Sequence, residues 1–357
     1  MKKTKFILKP ISLLLVLSIT LLFPTASNAS SNNEHKVIIV FKDNANQRAI
    51  DQKRGKIGHA YKNINAVSMS LSDDEITQLQ KDPTVDVVEE DALVHVDSQI
   101  IDWGIAKVNA PKAWSSNYTG QGVKIAEIDT GIAAHPDLQV AGGVSLVSYT
   151  QSYDDDYGHG THVAGIIGAL NNDIGVVGVA PNANLYAVKA LDNTGSGYIS
   201  DIIAGIDWSI TNKMDIVNMS FGTTSSSKAL EKEVNTAYND GLLIVAAAGN
   251  SGTSSVKTET AIDENDQRPS WSSTGKEVEV CAPGVNILST YLDGQYATMS
   301  GTSMATPFVT GDLALLKQKY PTYTNIQLRS LLDKNILDLG TPGKDTFFGY
   351  GLIQAQN

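Results

Sequence analysis

The chain has 357 residues, enough for one large domain or two ordinary ones, and its 42% hydrophobic and 18% charged content excludes the disordered and fibrous classes. The formal net charge is −11, and residues 1–97 carry equal numbers of acidic and basic side chains, so the whole acidic excess lies beyond them. An acidic body has no basic footprint for nucleic acid or an anionic membrane, and a single cysteine, Cys281, leaves packing or bound ions in place of disulfides.

At the N-terminus Lys2, Lys3, Lys5 and Lys9 precede a 13-residue apolar run, Ile11 to Phe23, which ends in Ser27-Asn28-Ala29. This is the pattern of an export signal cleaved after Ala29. Spanning a bilayer takes about 20 apolar residues, so residues 1–29 are expected to be a signal peptide and the mature protein extracellular, with no membrane association once the signal is removed.

Residues 30–97 are expected to form a small α+β domain. Lys36 to Phe41, Ala66 to Ser72 and Val85 to Asp91 read as strands; residues 73–82 read as a helix whose acidic first turn suits the helix dipole. From about Gln99 the pattern changes to apolar strands (123–129, 184–191, 215–220, 242–249) followed by helical stretches such as 199–212 and 228–240. Continuous apolar strands alternating with helices predict an α/β fold, a mostly parallel sheet covered by helices on both faces. Polar and glycine residues stand at the carboxyl ends of these strands, where open α/β sheets place their active sites.

Three segments there carry chemistry: Ile128-Asp129-Thr130-Gly131, the run from His159 through Gly165, and Gly301-Thr302-Ser303-Met304-Ala305-Thr306-Pro307. A serine hydroxyl is a weak nucleophile at neutral pH. It needs an imidazole to take its proton and a buried carboxylate to orient that imidazole. Taken alone, His159 and His162 also read as a metal pair on one helix face, although neither an HExxH pattern nor a further ligand cluster accompanies them.

Together and in this order the three segments resemble the signatures of the subtilisin-like serine proteases. The resemblance implies that Asp129 orients, His159 acts as base and Ser303 attacks, and that Asn250 supplies an oxyanion donor. It implies protein and peptide substrates bound by strand addition along Ser220-Phe221-Gly222 and Gly195-Ser196-Gly197, and a calcium ion held by Gln99, Asp137, Leu170, Asn172, Ile174 and Val176. Residues 30–97, with Val88-Glu89-Glu90-Asp91 near their end, resemble the family's propeptide, an intramolecular inhibitor and chaperone. Maturation is then expected near Asp97-Ser98, leaving residues 98–357 as a monomeric secreted endopeptidase.

The chain departs from the family in four places. Ser251 to Asn265 is short by roughly a dozen residues against the family's specificity loop, and its strand pattern is almost gone, a loss set against about 5 to 15 kcal/mol of total stability. Glu127 stands where an apolar residue is expected, on the same strand face as Asp129, and Asp312 stands within the helix after Ser303 in place of a small apolar residue. Phe308 replaces a histidine. A buried unpaired carboxylate costs several kcal/mol or keeps its proton, so a catalytically silent relative is the alternative expectation. Asp154, Asp155 and Asp156 read either as a solvated acidic loop or as a source of negative field on His159.

Overall fold

The computed structural model describes residues 34–42, 57–61, 63–92, 98–223, 225–252 and 259–356, so the expected signal peptide and the expected cleavage segment before Ser98 lie outside the described residues. The chain divides into two units, Met1–His95 and Val96–Asn357.

In the first unit, β1 (Glu34–Phe41), β2 (Ile57–Ala60), β3 (Ala66–Ser72) and β4 (Val85–Glu90) form an antiparallel sheet in the order β2-β3-β1-β4. Alternate residues Val37, Ile39 and Phe41 meet Val67, Met69 and Leu71 in its core. Helix α1 (Asp73–Leu79) begins where Glu75 accepts from the Ser72 backbone and hydroxyl, at 2.9 and 3.0 Å. It stops three residues before the sequence expectation, because the chain from Gln80 turns towards β4.

The second unit opens with two short helices, α2 (Trp103–Lys107) and α3 (Ala110–Trp114), followed by β5 (Lys124–Asp129), β6 (Val140–Ser145), α4 (His159–Gly168), β7 (Asn184–Lys189), α5 (Ile199–Thr211), β8 (Ile216–Met219), α6 (Lys228–Asn239) and β9 (Leu243–Ala246). The five strands pair in the order β6-β7-β5-β8-β9, and every pairing is parallel. The strands are shorter than their apolar runs. After β7, for example, the amides of Ala190 and Leu191 both turn to the carbonyl of Asp129, at 3.0 Å each, and fold the chain over the end of β5.

β10 (Thr260–Ile262), β11 (Cys281–Pro283), the hairpin β12 (Ile287–Thr290) and β13 (Tyr296–Met299), the long helix α7 (Thr302–Lys319), α8 (Asn325–Leu332), β14 (Ile336–Leu337) and β15 (Leu352–Ile353) complete the unit. Ile125 of β5 packs with Val163 and Ile167 of α4 and Phe308 of α7 on one face of the central sheet. On the other face Ile128 and Val188 pack with Ile202 and Ile206 of α5 and with Ala237 of α6. The parallel sheet covered on both faces is thus as the apolar runs predict.

The shortened segment keeps more strand than its sequence pattern promised. Thr260–Ile262 is wholly buried, pairs in parallel with β11, and joins β9 through a parallel bridge between Ala247 and Glu259. The backbone bonds of neighbouring strands hold this strand where its own three residues carry too little periodicity to announce it. Phe308 is fully buried, and its ring fills the space over Gly104, where a Cβ would come within 2.5 Å of it.

Candidate active site

Because β5, β7, β8 and β9 are parallel neighbours, their carboxyl ends share one edge of the sheet. That edge collects Asp129 at the end of β5, Gly195–Gly197 after β7, Ser220–Gly222 after β8 and Asn250 after β9. The glycines of the first two motifs permit a close approach. At Gly131, with φ +103°, a Cβ would lie 2.3 Å from the Tyr153 carbonyl, and at Gly160 it would lie 2.1 Å from the carbonyl of Gly131. Only glycine lets the first turn of α4 press this closely on the end of β5.

That contact sets the Asp–His pair. His159 Nδ1 lies 2.7 Å from Asp129 Oδ1, which also accepts from the Thr130 amide at 2.8 Å, while Thr130 Oγ1 accepts from the Gly160 amide at 2.9 Å. Asp129 is fully buried and the His159 side chain keeps 17% exposure, so the imidazole is anchored on one edge and open on the other. Burial works against the imidazolium, but the charge and hydrogen bond of Asp129, with a smaller contribution from Asp155, outweigh it and raise His159 above the usual histidine range.

The acidic run before His159 is only in part a solvated loop. Asp155 is buried and accepts from the amides of Tyr157, Gly158 and Thr161 at 2.9 Å and from Thr161 Oγ1 at 2.6 Å, satisfying free donors at the start of α4. Asp156 pairs at 2.6 Å with Lys189 Nζ, whose side chain is fully buried and which also donates to the Thr130 carbonyl at 2.5 Å. Asp154 and Asp156 are both exposed, and only Asp155 is buried.

His162 turns away from His159. Its Nε2 lies 3.1 and 3.0 Å from the carbonyls of Ile287 and Ala297, and burial lowers it to about 4, so it serves as a neutral core donor rather than half of a metal pair.

Ser303 is the second residue of α7, the helix that packs beside α4. Asn250 is tied to the start of that helix: its Oδ1 accepts from the Thr302 amide at 2.9 Å and from Thr302 Oγ1 at 3.0 Å. Thr302 Oγ1 in turn accepts from the Gly249 amide at 3.0 Å. With its oxygen so fixed, Asn250 must present its Nδ2 outward. A Cβ built on Gly301 would lie 3.5 Å from that Nδ2 and 3.6 Å from the Ser303 amide nitrogen, so the two nitrogens lie close to one another beside Gly301. Thr302, which sequence reading passed over, is the residue that orients Asn250. His159 and Ser303 make no hydrogen bond in the free protein; such contacts commonly tighten only with substrate.

Gly195, Ser196 and Gly197 lie along an accessible turn, and Gly222 is exposed with no atom within 4 Å of the place a Cβ would take. Ser220 is buried, where its Oγ accepts from Asn218 Nδ2 at 3.0 Å, and Phe221 is half-buried, so the accessible part of this second segment is its end.

The expected calcium residues come together. Gln99 Nε2 lies 2.5 Å from the Leu170 carbonyl, 3.4 Å from Asn172 Oδ1, 3.1 Å from the Ile174 carbonyl and 2.9 Å from the Val176 carbonyl. An amide nitrogen has two hydrogens and cannot satisfy four acceptors. Asp137 Oδ2 accepts from the Val176 amide at 2.9 Å and from the Tyr296 hydroxyl at 3.3 Å, while its Oδ1 is buried without a partner. An excess of convergent oxygens with one orphaned carboxylate oxygen fits a hard cation. Among the described residues there is no group of three or more His, Cys, Asp and Glu able to hold a metal, as expected of a set built from carbonyl and amide oxygens.

An all-parallel α/β sheet with a buried Asp–His pair at its carboxyl edge, beside a helix that starts on Gly-Thr-Ser, defines the class of α/β serine peptidases. The chain belongs to the Subtilase family, whose model matches residues 120–351, and residues 24–97 match the peptidase inhibitor I9 family. It is 46% identical over 377 residues to the minor extracellular protease Epr of Bacillus subtilis, covering 97% of this chain and 58% of that protein, so it spans little more than half the length of that relative. It is 44% identical to the thermostable alkaline protease of Halalkalibacterium halodurans over 96% of this chain and 97% of that protein. To subtilisin E of Bacillus subtilis it is 45% identical over the same shares. No helix among the described residues is long and apolar enough to cross a membrane.

Proposed function

We propose that the chain is the precursor of a secreted serine endopeptidase in which Ser303 is the nucleophile, His159 the base and Asp129 the orienting carboxylate. His159 takes the Ser303 proton as Oγ attacks the peptide carbonyl, then returns it to the leaving amine, and water repeats the sequence on the acyl-enzyme. Asn250 Nδ2 and the Ser303 amide stabilise the oxyanion, which must develop where both donors point. An extended peptide pairs with Gly195–Gly197 and with the chain at Gly222, in keeping with the open backbone of both. Residues 1–29 are the export signal, 30–97 an inhibitory prosegment that assists folding, and 98–357 the monomeric extracellular peptidase.

The observation that carries this reading is the convergence of the 2.7 Å Asp129–His159 bond, the helix-borne Ser303 and the anchored Asn250 at one sheet edge. A serine-directed fluorophosphonate should label the purified mature protein and fail to label Ser303→Ala. Ser303→Ala should also accumulate as an unprocessed precursor, since prosegment removal uses the same acyl transfer. Normal processing of that variant in a protease-free host would refute self-maturation, and an unlabelled parent would refute the nucleophile.

Calcium is the proposed ligand of Gln99, Asp137, Leu170, Asn172, Ile174 and Val176, with the Gln99 amide turned so that its oxygen faces the others. The ion would brace a fold that has a single cysteine and so no internal disulfide. A ligand bound only to the folded state adds about 2.7 kcal/mol at a hundredfold excess over Kd. The melting temperature should therefore rise with calcium and lose most of that rise in Asp137→Ala. Equal melting in chelator and in excess calcium would rule the site out.

A further inference from the structure

Glu127 is the residue of the site's surroundings that the mechanism leaves without a task. It shares a face of β5 with Ile125 and Asp129. It is fully buried, and neither of its oxygens has a hydrogen-bond partner. Its Oε1 lies 3.2 Å from the position a Cβ would take on Gly160, so the carboxyl rests against the first turn of α4, one residue from His159.

No element around it offers a cation. On β7 the residue opposite is Ala187, and buried Lys189, opposite Asp129, is committed to Thr130 and Asp156. On β8 the residue opposite is Asn218, whose amide is occupied by Ser220 and Thr310 at 3.0 and 2.7 Å. From α4, His159 bonds Asp129 and His162 bonds two carbonyls. From α7 the buried ionisable group is another acid, Asp312, and from the loop before α4 it is Asp155, which already takes four hydrogen bonds. Asp129 Oδ2, also buried without a partner, lies on the same face as Glu127.

We propose that Glu127 is a positioning residue for the catalytic pair: a buried carboxylic acid whose proton leaves Asp129 the sole charge on that face of β5 at working pH, and whose ionisation sets the alkaline limit of activity. Burial first, then the charges of Asp129 and Asp155, raise Glu127 well above the usual carboxyl range, which is the direction this placement requires. Once ionised, Glu127 must either draw water beneath α4 or repel Asp129, and both loosen the Asp129–His159 bond.

This inference rests on the triad proposed above, and its test separates the two. The rate of fluorophosphonate labelling at Ser303 is followed against pH by brief pH jumps on folded protein, for the parent, Glu127→Gln and Glu127→Val. The parent should rise through the His159 titration and then fall about tenfold per pH unit on the alkaline side, the slope of a single ionisation. Both variants should keep the acidic midpoint and lose the alkaline fall. At neutral pH the infrared stretch of one protonated carboxyl group should vanish from both variants relative to the parent, whether or not the serine labels. An alkaline fall shared by all three proteins overturns the inference. So does an acidic midpoint that drops in Glu127→Gln, because Glu127 was then charged, or an unchanged infrared band. Absence of labelling in the parent refutes the triad instead.

Discussion

Replacing Asp129 by Asn is expected to lower kcat by about 10⁴, the scale of the same exchange at the orienting position of a serine-protease triad, and to move the acidic limb of kcat/KM down in pH. Both donors to Asp129, the His159 ring and the Thr130 amide, meet the same oxygen, Oδ1. An asparagine can keep an oxygen there and leave the ring where it stands. What it cannot supply is the charge. Burial opposes the imidazolium, and Asp129 outweighs that opposition in the parent. With the charge gone burial acts unopposed, so His159 should titrate below the usual histidine range, whereas in the parent it titrates above it. The imidazolium that forms as Ser303 gives up its proton loses its counter-charge for the same reason. If kcat fell while the acidic limb stayed in place, His159 would not be the group that titrates, and its role as base would have to be abandoned.

The parallel sheet, the Asp–His pair and the helix bearing Ser303 were legible in the sequence because each depends on local patterns: apolar runs, strand-end glycines and short motifs in chain order. Glu127 and Asp312 were legible as misfits for a similar reason, since strand alternation and helical context place them inward without any knowledge of the rest of the fold. What escaped was set by partners distant in sequence. Asp154 to Asp156 look alike in the chain, yet Asp156 meets Lys189, 33 residues away. Thr302 reads as one more residue of a motif until Asn250, 52 residues earlier, is seen to hang from it. Thr260–Ile262 has too few residues to show a period, and only its pairing with β11 and the bridge at Glu259 make it a strand.

Glu259 belongs with these misfits. It is buried, its Oε2 accepts from the Ala246 amide at 3.2 Å, and burial with the neighbouring Glu279 charge raises it to about 8. Its side chain satisfies a backbone donor of β9 next to the shortened segment. Replacing it with alanine would remove a poorly placed acid and a useful hydrogen bond together, so it is the less informative probe of what buried acids do to this fold.

Asp312 is the cleaner probe, and Asp312→Ala is expected to stabilise the enzyme strongly above neutral pH and hardly at all in acid. Asp312 lies in the middle of α7, fully buried, and neither carboxyl oxygen has a partner. Burial alone raises it from 3.8 to about 7. A group that holds its proton more tightly folded than unfolded contributes stability fully below its unfolded value, and that contribution is lost as pH rises through the folded one. The loss should run from about pH 4 to about pH 7 and then level off, because beyond that point both states are ionised. At about 1.4 kcal/mol per unit, a rise of roughly three units corresponds to about 4 kcal/mol. For a domain of this size that is about 8–16 °C in melting temperature, at about 2–4 °C per kcal/mol. Thermal melts of serine-inactivated protein, with and without Asp312→Ala, should therefore coincide near pH 4 and separate in favour of the variant up to about pH 7. A variant advantage of the same size at both ends of that range would mean that packing, not ionisation, is what Asp312 costs the fold.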